Sequence, residues 1–147
     1  MTEVCFYHVN KLPVDKVLSK LVEKIYSLKH KIVIFCQDPS LIPIIDELLW
    51  SYSTKTFLAH ATKSDPKPDL QPIYITDSEE NPNGADILIA IGNSIPQFYK
   101  SFDRYIDIFS DNEEEIQLAR SRYKTLKQTH EKVKYFKQDD KGIWQEL

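Results

Sequence analysis

Two short segments that are apolar at nearly every position constrain the fold of this chain more than any other feature. They are Lys31–Cys36 and Asp86–Ile91, and both are rich in β-branched side chains. A strand with one face in water alternates apolar and polar residues, whereas a continuous apolar run is typical of a strand buried on both faces in a parallel sheet. The second segment is the more continuous of the two, so we expect it to be a central strand.

Helices are predicted between the strands. After a first strand at Cys5–Val9, apolar residues in the segment Val14–Leu28 recur at the i, i+3, i+4 and i+7 spacing of one helix face. Further helices are predicted at Leu41–Trp50 and Asp111–Gln128. Strands that alternate with helices across short connections favour an α/β fold, a three-layer sandwich in which helices cover both faces of a mostly parallel sheet.

The remaining segments are shorter. They are predicted to form strands at Phe57–His60, Ile73–Thr76 and Tyr105–Phe109, a short helix at Ile95–Phe102, an exposed loop at Ala61–Pro72, and a hairpin or packed tail at Val133–Phe136 with Ile143–Trp144. The chain has 147 residues, of which 41% are hydrophobic. This is the size of one globular unit with one proper core, so we predict a single domain spanning residues 1–147.

Charge and cysteine content narrow the class of protein. A formal net charge of -3 and a pI near 5.8 argue against a surface that cradles nucleic acid throughout, but they allow a local basic patch. Cys5 and Cys36 lie in apolar runs and are expected to be buried thiols rather than a disulfide. The N-terminus enters a strand without a charged, apolar leader, and no run approaches roughly 20 apolar residues. We therefore expect a cytoplasmic protein without a membrane segment.

The chain lacks the sequence motifs with which α/β folds bind nucleotides. It has three glycines and neither a G-x-G-x-x-G nor a G-x-x-x-x-G-K-[ST] sequence, so the Rossmann-like pattern comes without a phosphate-binding glycine loop. Cys36 has no basic neighbour that would activate its thiol. The four histidines are scattered without metal-ligand spacing. We predict no cofactor, no metal and no catalytic residue.

Acidic residues cluster where the last helix begins. Asp111 and the run Glu113–Glu115 would allow a general acid/base pair, but carboxylates in a first helical turn also complement the helix dipole. The second interpretation needs no additional partner, and we prefer it.

A basic segment stands out against the acidic average of the chain. Residues 120–137 contain seven Lys or Arg residues and one acid, Glu131, for a local charge of +6. On the predicted helix, Arg120, Lys124 and Lys127 fall within a narrow arc, next to an apolar stripe formed by Ile116, Ala119, Tyr123 and Leu126.

Tyr123 lies where the cationic arc and the apolar stripe meet. Such a border suits an acidic peptide that ends in hydrophobic residues, because cations hold carboxylates while the apolar side receives side chains. Two alternatives remain open from the pattern alone: basic residues late in a helix also complement its dipole, and nucleic acid is a competing ligand.

Short motifs along the chain resemble the chi subunit family of bacterial DNA polymerase III. The segment Ala119–Lys124 is similar to the A-R-x-R-Y-K sequence of that family. Other similar segments follow the family order: Phe6-Tyr7, Asp46–Trp50, Phe57 with His60, and Asp86–Ile89. The resemblance spans nearly the full length, although the loop 61–72 and the C-terminal tail match poorly.

The resemblance implies partners and site residues. It implies a heterodimer with the psi subunit and docking of the acidic, Pro-Phe-ending tail of single-stranded-DNA-binding protein. The tail site carries over onto Arg120, Tyr123, Lys124 and Lys127, and the psi-facing surface onto Trp50 and Phe57, although each of these aromatic residues is also compatible with a core position. One position departs from the family, because Ile116 stands where another cation is expected.

These observations lead to a hypothesis of an adaptor without a reaction of its own. It would bind psi on one surface and the tail of single-stranded-DNA-binding protein on another, and it would contact DNA only indirectly. A small nucleotide-dependent or hydrolytic α/β enzyme and a direct single-stranded-DNA binder are the alternatives.

Overall fold

The computed structural model describes residues 2–9, 14–51, 58–62, 64–65, 67–129, 132–139, 141 and 143–147. Within these residues the strands form one eight-stranded sheet in the order β3-β4-β2-β5-β6-β1-β7-β8. The strands are β1 Glu3–Val9, β2 Ile32–Cys36, β3 His60–Ala61, β4 Ile73–Thr76, β5 Ile87–Ile91, β6 Arg104–Ser110, β7 Val133–Gln138 and β8 Trp144–Glu146. Every pairing is parallel except that of β7 with β8.

Helices cover both faces of this sheet, as the sequence predicts. The helices are α1 Val14–Ser27, α2 Leu41–Ser51 and α3 Glu113–Thr129, with 3-10 turns at Pro68–Leu70 and Gln97–Ser101. Leu18 of α1 and Leu49 of α2 pack on one face, whereas Ala119 and Leu126 of α3 pack on the other. The three-layer α/β sandwich is therefore confirmed.

The two continuous apolar segments form interior strands. β5 lies between β2 and β6, so the prediction of a central strand is confirmed. Successive residues of β2 enter opposite cores: Ile32 and Ile34 face α1 and α2, while Val33 packs in the α3 layer. All three are fully buried, which explains why the run has no polar alternation.

Several short segments differ from the predictions. The strand predicted at Phe57–His60 is His60–Ala61, and Phe57 lies outside the described residues. Ala61 is consequently buried rather than part of an exposed loop. The helix predicted at Ile95–Phe102 is a short 3-10 helix at Gln97–Ser101, with extended residues, Pro96 and Phe102, on either side of it. The predicted terminal hairpin is confirmed as β7 and β8.

A buried ion pair ties α3 to the sheet. Arg122 Nε and Nη2 donate to the two Asp107 oxygens at 2.7 and 2.9 Å, and the Tyr105 hydroxyl donates to Oδ2 at 2.9 Å. Burial raises the pKa of Asp107, and these three hydrogen bonds oppose the rise. Burial lowers the pKa of Arg122, but Asp107 outweighs burial and raises that pKa above its ordinary value.

This pair reduces the positive charge that the basic segment, residues 120–137, presents to solvent. Arg122 was counted with the local positive charge, but its side chain is only 5% exposed and Asp107 neutralises it. Lys134 is likewise 3.5 Å from a carboxylate oxygen of Glu3. The cationic surface is therefore smaller than the count of basic residues indicates, and its α3 members are the residues that face away from the sheet.

Replacing Arg122 should destabilise the domain strongly. Arg122→Leu leaves the Asp107 carboxyl buried without its cation, so the free energy of unfolding should fall by about 3–5 kcal/mol in urea denaturation. The control is Arg120→Leu, an exposed arginine on the same helix, which should change it by less than about 0.5 kcal/mol. Equal losses in the two variants would contradict a structural role specific to Arg122.

Both cysteines are interior, as predicted. Cys5 is 3% exposed and Cys36 is fully buried, and neither forms a disulfide. Burial raises the pKa of each thiol to about 12. Because the thiolate is the reactive form, the folded protein presents almost none of it at neutral pH.

The thiols should therefore resist alkylation until the chain unfolds. At about pH 8, iodoacetamide should label the native protein at least roughly 100-fold more slowly than free cysteine. In denaturant both thiols should react, adding two labels that intact-mass spectrometry detects. Rapid labelling of the native protein would show that one of the thiols is accessible.

Candidate functional site

A groove of about 890 Å³ runs between α3 and the outer part of the sheet. Its helical wall carries Arg120, Tyr123 and Lys124, and its strand wall carries Tyr135 and Lys137 of β7. Among the described residues, the side chains of the lining provide three exposed cations, two tyrosine rings and one acidic group, that of Asp111. The groove therefore offers positive charge above an apolar floor.

The orientation of α3 determines which side chains reach this groove. The helix begins after Asn112, whose side chain accepts the amide hydrogens of Glu114 and Glu115 at 3.0 and 3.3 Å, an N-cap arrangement. Further along, Ala119 and Leu126 are buried. Arg120 and Lys124, one turn apart, consequently point to solvent along the groove.

Tyr123 is half-buried at the border of the exposed and buried faces of α3. Its ring meets Phe6 edge-on at 5.7 Å and Tyr135 edge-on at 5.8 Å, a geometry that aromatic pairs prefer. Burial raises the pKa of Tyr135, and the nearby charge of Arg120 opposes that rise. The Tyr135 phenol thus stays uncharged, and the two packed rings form a fixed floor beneath the arginine.

His8 holds one end of the groove in place. Its Nε2 lies 2.8 Å from Asp111 Oδ1, and its Nδ1 lies 3.1 Å from the Tyr135 hydroxyl. The His8 side chain is 5% exposed, so it acts as a buried support for Asp111 and Tyr135. No group of three side chains that could hold a metal ion occurs among the described residues.

The structure brings three of the four predicted tail-site residues together. Arg120, Tyr123 and Lys124 line the groove, whereas Lys127 is exposed further along α3 and does not line it. Ile116, where the family pattern suggested a cation, adds apolar surface to the same groove. The opposite wall, formed by β7, was not predicted from the sequence.

The second predicted surface lies on α2, in the layer across the sheet from α3. Trp50 is 56% exposed and Ile44 is 59% exposed, so Trp50 is not an interior core anchor. Its ring packs at 4.8 Å on that of buried His60. His60 Nδ1 lies 2.6 Å from the Leu58 carbonyl oxygen. Phe57 is outside the described residues.

His60 also connects Trp50 to its own helix. The His60 Nε2 lies 2.9 Å from Asp46 Oδ1, and Asp46 precedes Trp50 by four residues on α2. Residues four apart are neighbours on a helix surface, so His60 packs beside both side chains. The indole of Trp50 therefore packs on His60 on one side and faces solvent on the other.

The crevice at the carboxyl ends of β2 and β5, where open α/β sheets bind ligands, is acidic. Among the described residues, its lining includes Asp38, Glu114 and Glu115 and contains no Lys or Arg. Hydrogen bonds from Ser40 lower the pKa of Asp38, which keeps that carboxylate charged. The Gln37 side chain accepts a hydrogen bond from the backbone amide of Asn93 at 2.6 Å. Gly92 allows this close approach, because a Cβ at that position would lie only 2.6 Å from Gln37 atoms.

The described helices give no indication of a membrane segment. None of them is both long enough and apolar enough to span a bilayer.

Comparison with known proteins identifies the family. A family model described as DNA polymerase III chi subunit, HolC, matches residues 1–134. A probable DNA polymerase III subunit chi of Rickettsia prowazekii (strain Madrid E) is 31% identical over 154 residues, covering 100% of this chain and 93% of the relative. The DNA polymerase III subunit chi of Haemophilus influenzae is 29% identical over 128 residues, covering 86% of this chain and 85% of the relative.

The resemblance carried by Ala119–Lys124 and the motifs around it is thereby confirmed. The DNA polymerase III subunit chi of Escherichia coli (strain K12) adds a more distant relative, 24% identical over 115 residues, or 78% of each chain. The chain belongs to the family of DNA polymerase III chi subunits, which are accessory subunits of a DNA-replicating polymerase complex.

Proposed function

We propose that this chain is a non-catalytic adaptor that binds the acidic tail of single-stranded-DNA-binding protein in the α3 groove and the psi subunit on the exposed face of α2. It would connect the clamp-loader side of the polymerase to template strands coated with that protein. DNA itself would be contacted only through the coat protein. The observation that carries the proposal is the placement of Arg120 and Lys124 beside the Tyr123–Tyr135 floor.

The chemistry of the groove fits an acidic peptide that ends in an apolar residue. The Arg120 guanidinium suits a carboxylate because it can donate two parallel hydrogen bonds. The half-buried rings of Tyr123 and Tyr135, with Ile116, offer apolar surface next to that cation. A partner with carboxylates along its chain and an aromatic residue at its end would use both parts together.

Charge also argues against the two alternative functions. A nucleotide in the strand-end crevice would place phosphates against Asp38, Glu114 and Glu115, and like charges at close range oppose binding. Single-stranded DNA favours a long basic track with successive stacking rings. Here the cations Arg120, Lys124 and Lys137 of the α3 groove form one short cluster, and the Tyr123 ring packs on Phe6 and Tyr135.

Affinity for one tail should be modest. A groove of this size buries less surface than a standard protein interface, so we expect a dissociation constant on the order of micromolar that weakens with salt. Coat proteins on one DNA strand present many tails, and multivalent attachment would raise the effective affinity.

The α2 surface has the features of a protein contact rather than of a solvated helix face. Trp50 and Ile44 are more than half exposed, and α2 contains no Lys or Arg. Exposed aromatic and aliphatic side chains without a cationic rim fit an apolar partner. This is the surface to which we assign psi, with Phe57 following α2 in the sequence.

Removing the Arg120 guanidinium should weaken tail binding. Arg120→Ala should cost roughly 2 kcal/mol or more, because the partner carboxylate would lose its charged hydrogen-bond donor. Fluorescence anisotropy of a labelled acidic tail peptide measures the change. Arg104→Ala is the matched control, since Arg104 is also exposed but lies at the amino end of β6, and it should leave affinity unchanged.

The outcome that contradicts the site assignment is specific. If Arg120→Ala and Arg104→Ala bind the peptide equally well, the α3 groove is not the tail site. Lys127→Ala should have a smaller effect than Lys124→Ala, because only Lys124 lines the groove.

Removing Trp50 should weaken psi binding and leave tail binding intact. Trp50→Ala deletes the exposed indole, and losing a central aromatic anchor typically costs about 2 kcal/mol or more. Co-purification of psi with the variant, compared with Arg120→Ala, tests the separation of the two surfaces. Retention of psi by Trp50→Ala would refute the assignment, and loss of both partners by one variant would indicate unfolding.

A further inference from the structure

A second groove, of about 400 Å³, lies on the opposite face of β7 from the α3 groove. One wall is α1, which contributes Leu21 with Lys20 and Lys24. The other is the outer sheet, which contributes Tyr7, Phe136 and Trp144. We call this the α1 groove.

The α1 groove exists because the sheet extends beyond its helical cover. Helix α1 packs on β2 and β6, whereas β7 and β8 lie further out in the strand order. The Tyr7 ring stacks on Phe136 at 5.1 Å and meets Trp144 edge-on at 5.1 Å. All three rings are only partly buried, so the edge of the sheet presents an aromatic surface here.

Charge on the α1 groove has a single sign. Lys20 and Lys24 are exposed and lie one turn apart on α1, and no Asp or Glu occurs among the described residues that line the groove. Burial raises the pKa of the Tyr7 phenol, so that ring stays neutral at physiological pH. Two ammonium groups thus stand beside an uncharged aromatic surface.

The two grooves share one strand. Successive side chains of a strand point to opposite faces, so Tyr135 enters the α3 groove while Phe136 enters the α1 groove. Each groove joins a cationic helix face to aromatic rings of the outer sheet. The chemistry of the α3 groove is therefore repeated on the reverse side of β7.

We infer that the α1 groove is a second binding site for an acidic peptide segment bearing an apolar or aromatic side chain. The class of ligand rests on the proposed function of the α3 groove. The evidence for the site itself is the arrangement of the two lysines and three aromatic rings that line the α1 groove. One chain would then hold two tails, and such two-point attachment strengthens binding without any new kind of contact.

Two other occupants fit the α1 groove less well. A second copy placed by two-fold symmetry would bring two cationic patches into one interface, because each chain contributes Lys20 and Lys24, and like charges repel. Single-stranded DNA needs exposed ring faces for its bases, whereas the Tyr7 and Phe136 faces stack on one another.

Trp144 provides a local reporter for the test. The chain has two tryptophans, so Trp50→Phe leaves Trp144 as the only one, and every variant is made in that background. The probe is a synthetic peptide with several Asp residues and a terminal Phe, without Trp or Tyr. Titration should change Trp144 emission, and Lys20→Glu with Lys24→Glu should weaken that response at least about fivefold.

Matched variants separate this site from the α3 groove. Lys29→Glu with Lys31→Glu makes the same change of charge at exposed positions outside the α1 groove, and it should retain the Trp144 response. Lys124→Glu should also retain that response while it lowers total peptide binding. Isothermal titration should give two peptides per chain, falling to one in either groove variant.

Four results would overturn the inference. They are unchanged Trp144 emission, loss of the response in Lys124→Glu, an equal response to an oligothymidylate without peptide, and peptide-independent dimerisation that the α1 lysine variants abolish. Failure of the proposed function looks different. In that case Arg120→Ala and Lys124→Glu would bind normally while the α1 variants alone lost the peptide.

Discussion

The Arg122–Asp107 pair fixes the rotation of α3, and the α3 groove depends on that rotation. Asp107 lies on β6, an interior strand, so the bidentate contact positions the helix over the middle of the sheet. Because Arg122 points toward the sheet, Arg120 and Lys124 point toward solvent. Tyr123 lies at the border between the buried and the exposed face of the helix. The arrangement is not ideal for stability alone, because Arg122 Nη1 is buried without a hydrogen-bond partner among the described residues. A buried pair that is costly to desolvate still defines orientation, because only one helix rotation satisfies both partners.

The sequence pattern around Arg122 and Asp107 indicates this pair, but a count of charges along the segment does not detect it. Ala119, Arg122 and Leu126 follow the i, i+3, i+7 spacing of a buried face, so periodicity places Arg122 among apolar residues. Its partner Asp107 likewise interrupts an apolar strand between Ile106 and Ile108. A charge at an apolar-face position is rarely buried unless it is paired. Two such positions in adjacent elements form a pairing hypothesis that the sequence analysis did not make.

Helices and strands whose apolar pattern lies within one segment could be predicted from the sequence. Contacts between strands that are far apart in the sequence could not. The positions of β2, β5 and α3 follow from runs and spacings within single segments. The strand wall of the α3 groove requires that β7 pair with β1 from the other end of the chain, and no local pattern specifies that partner. Tyr135 and Lys137 were therefore missed as groove residues. The exposure of Trp50 was also undetermined, because α2 is apolar on several sides and the pattern does not define a single buried face.

The distribution of charge along α3 gives opposite charge to two regions of the surface, the strand-end crevice and the α3 groove. Glu113, Glu114 and Glu115 occupy its first turn, where they complement the positive end of the helix dipole, and two of them line the strand-end crevice. The basic residues follow about two turns later, on the face that the Arg122–Asp107 pair turns outward. The helix dipole favours the acidic first turn and Lys127 in the last turn, and the acidic and basic segments have opposite effects on ligands. The acidic end repels the phosphates that related α/β architectures hold at a helix N-terminus, while the basic middle attracts carboxylates. One helix thus opposes phosphate binding at its acidic end and, under the proposed function, supplies cations to the α3 groove further along.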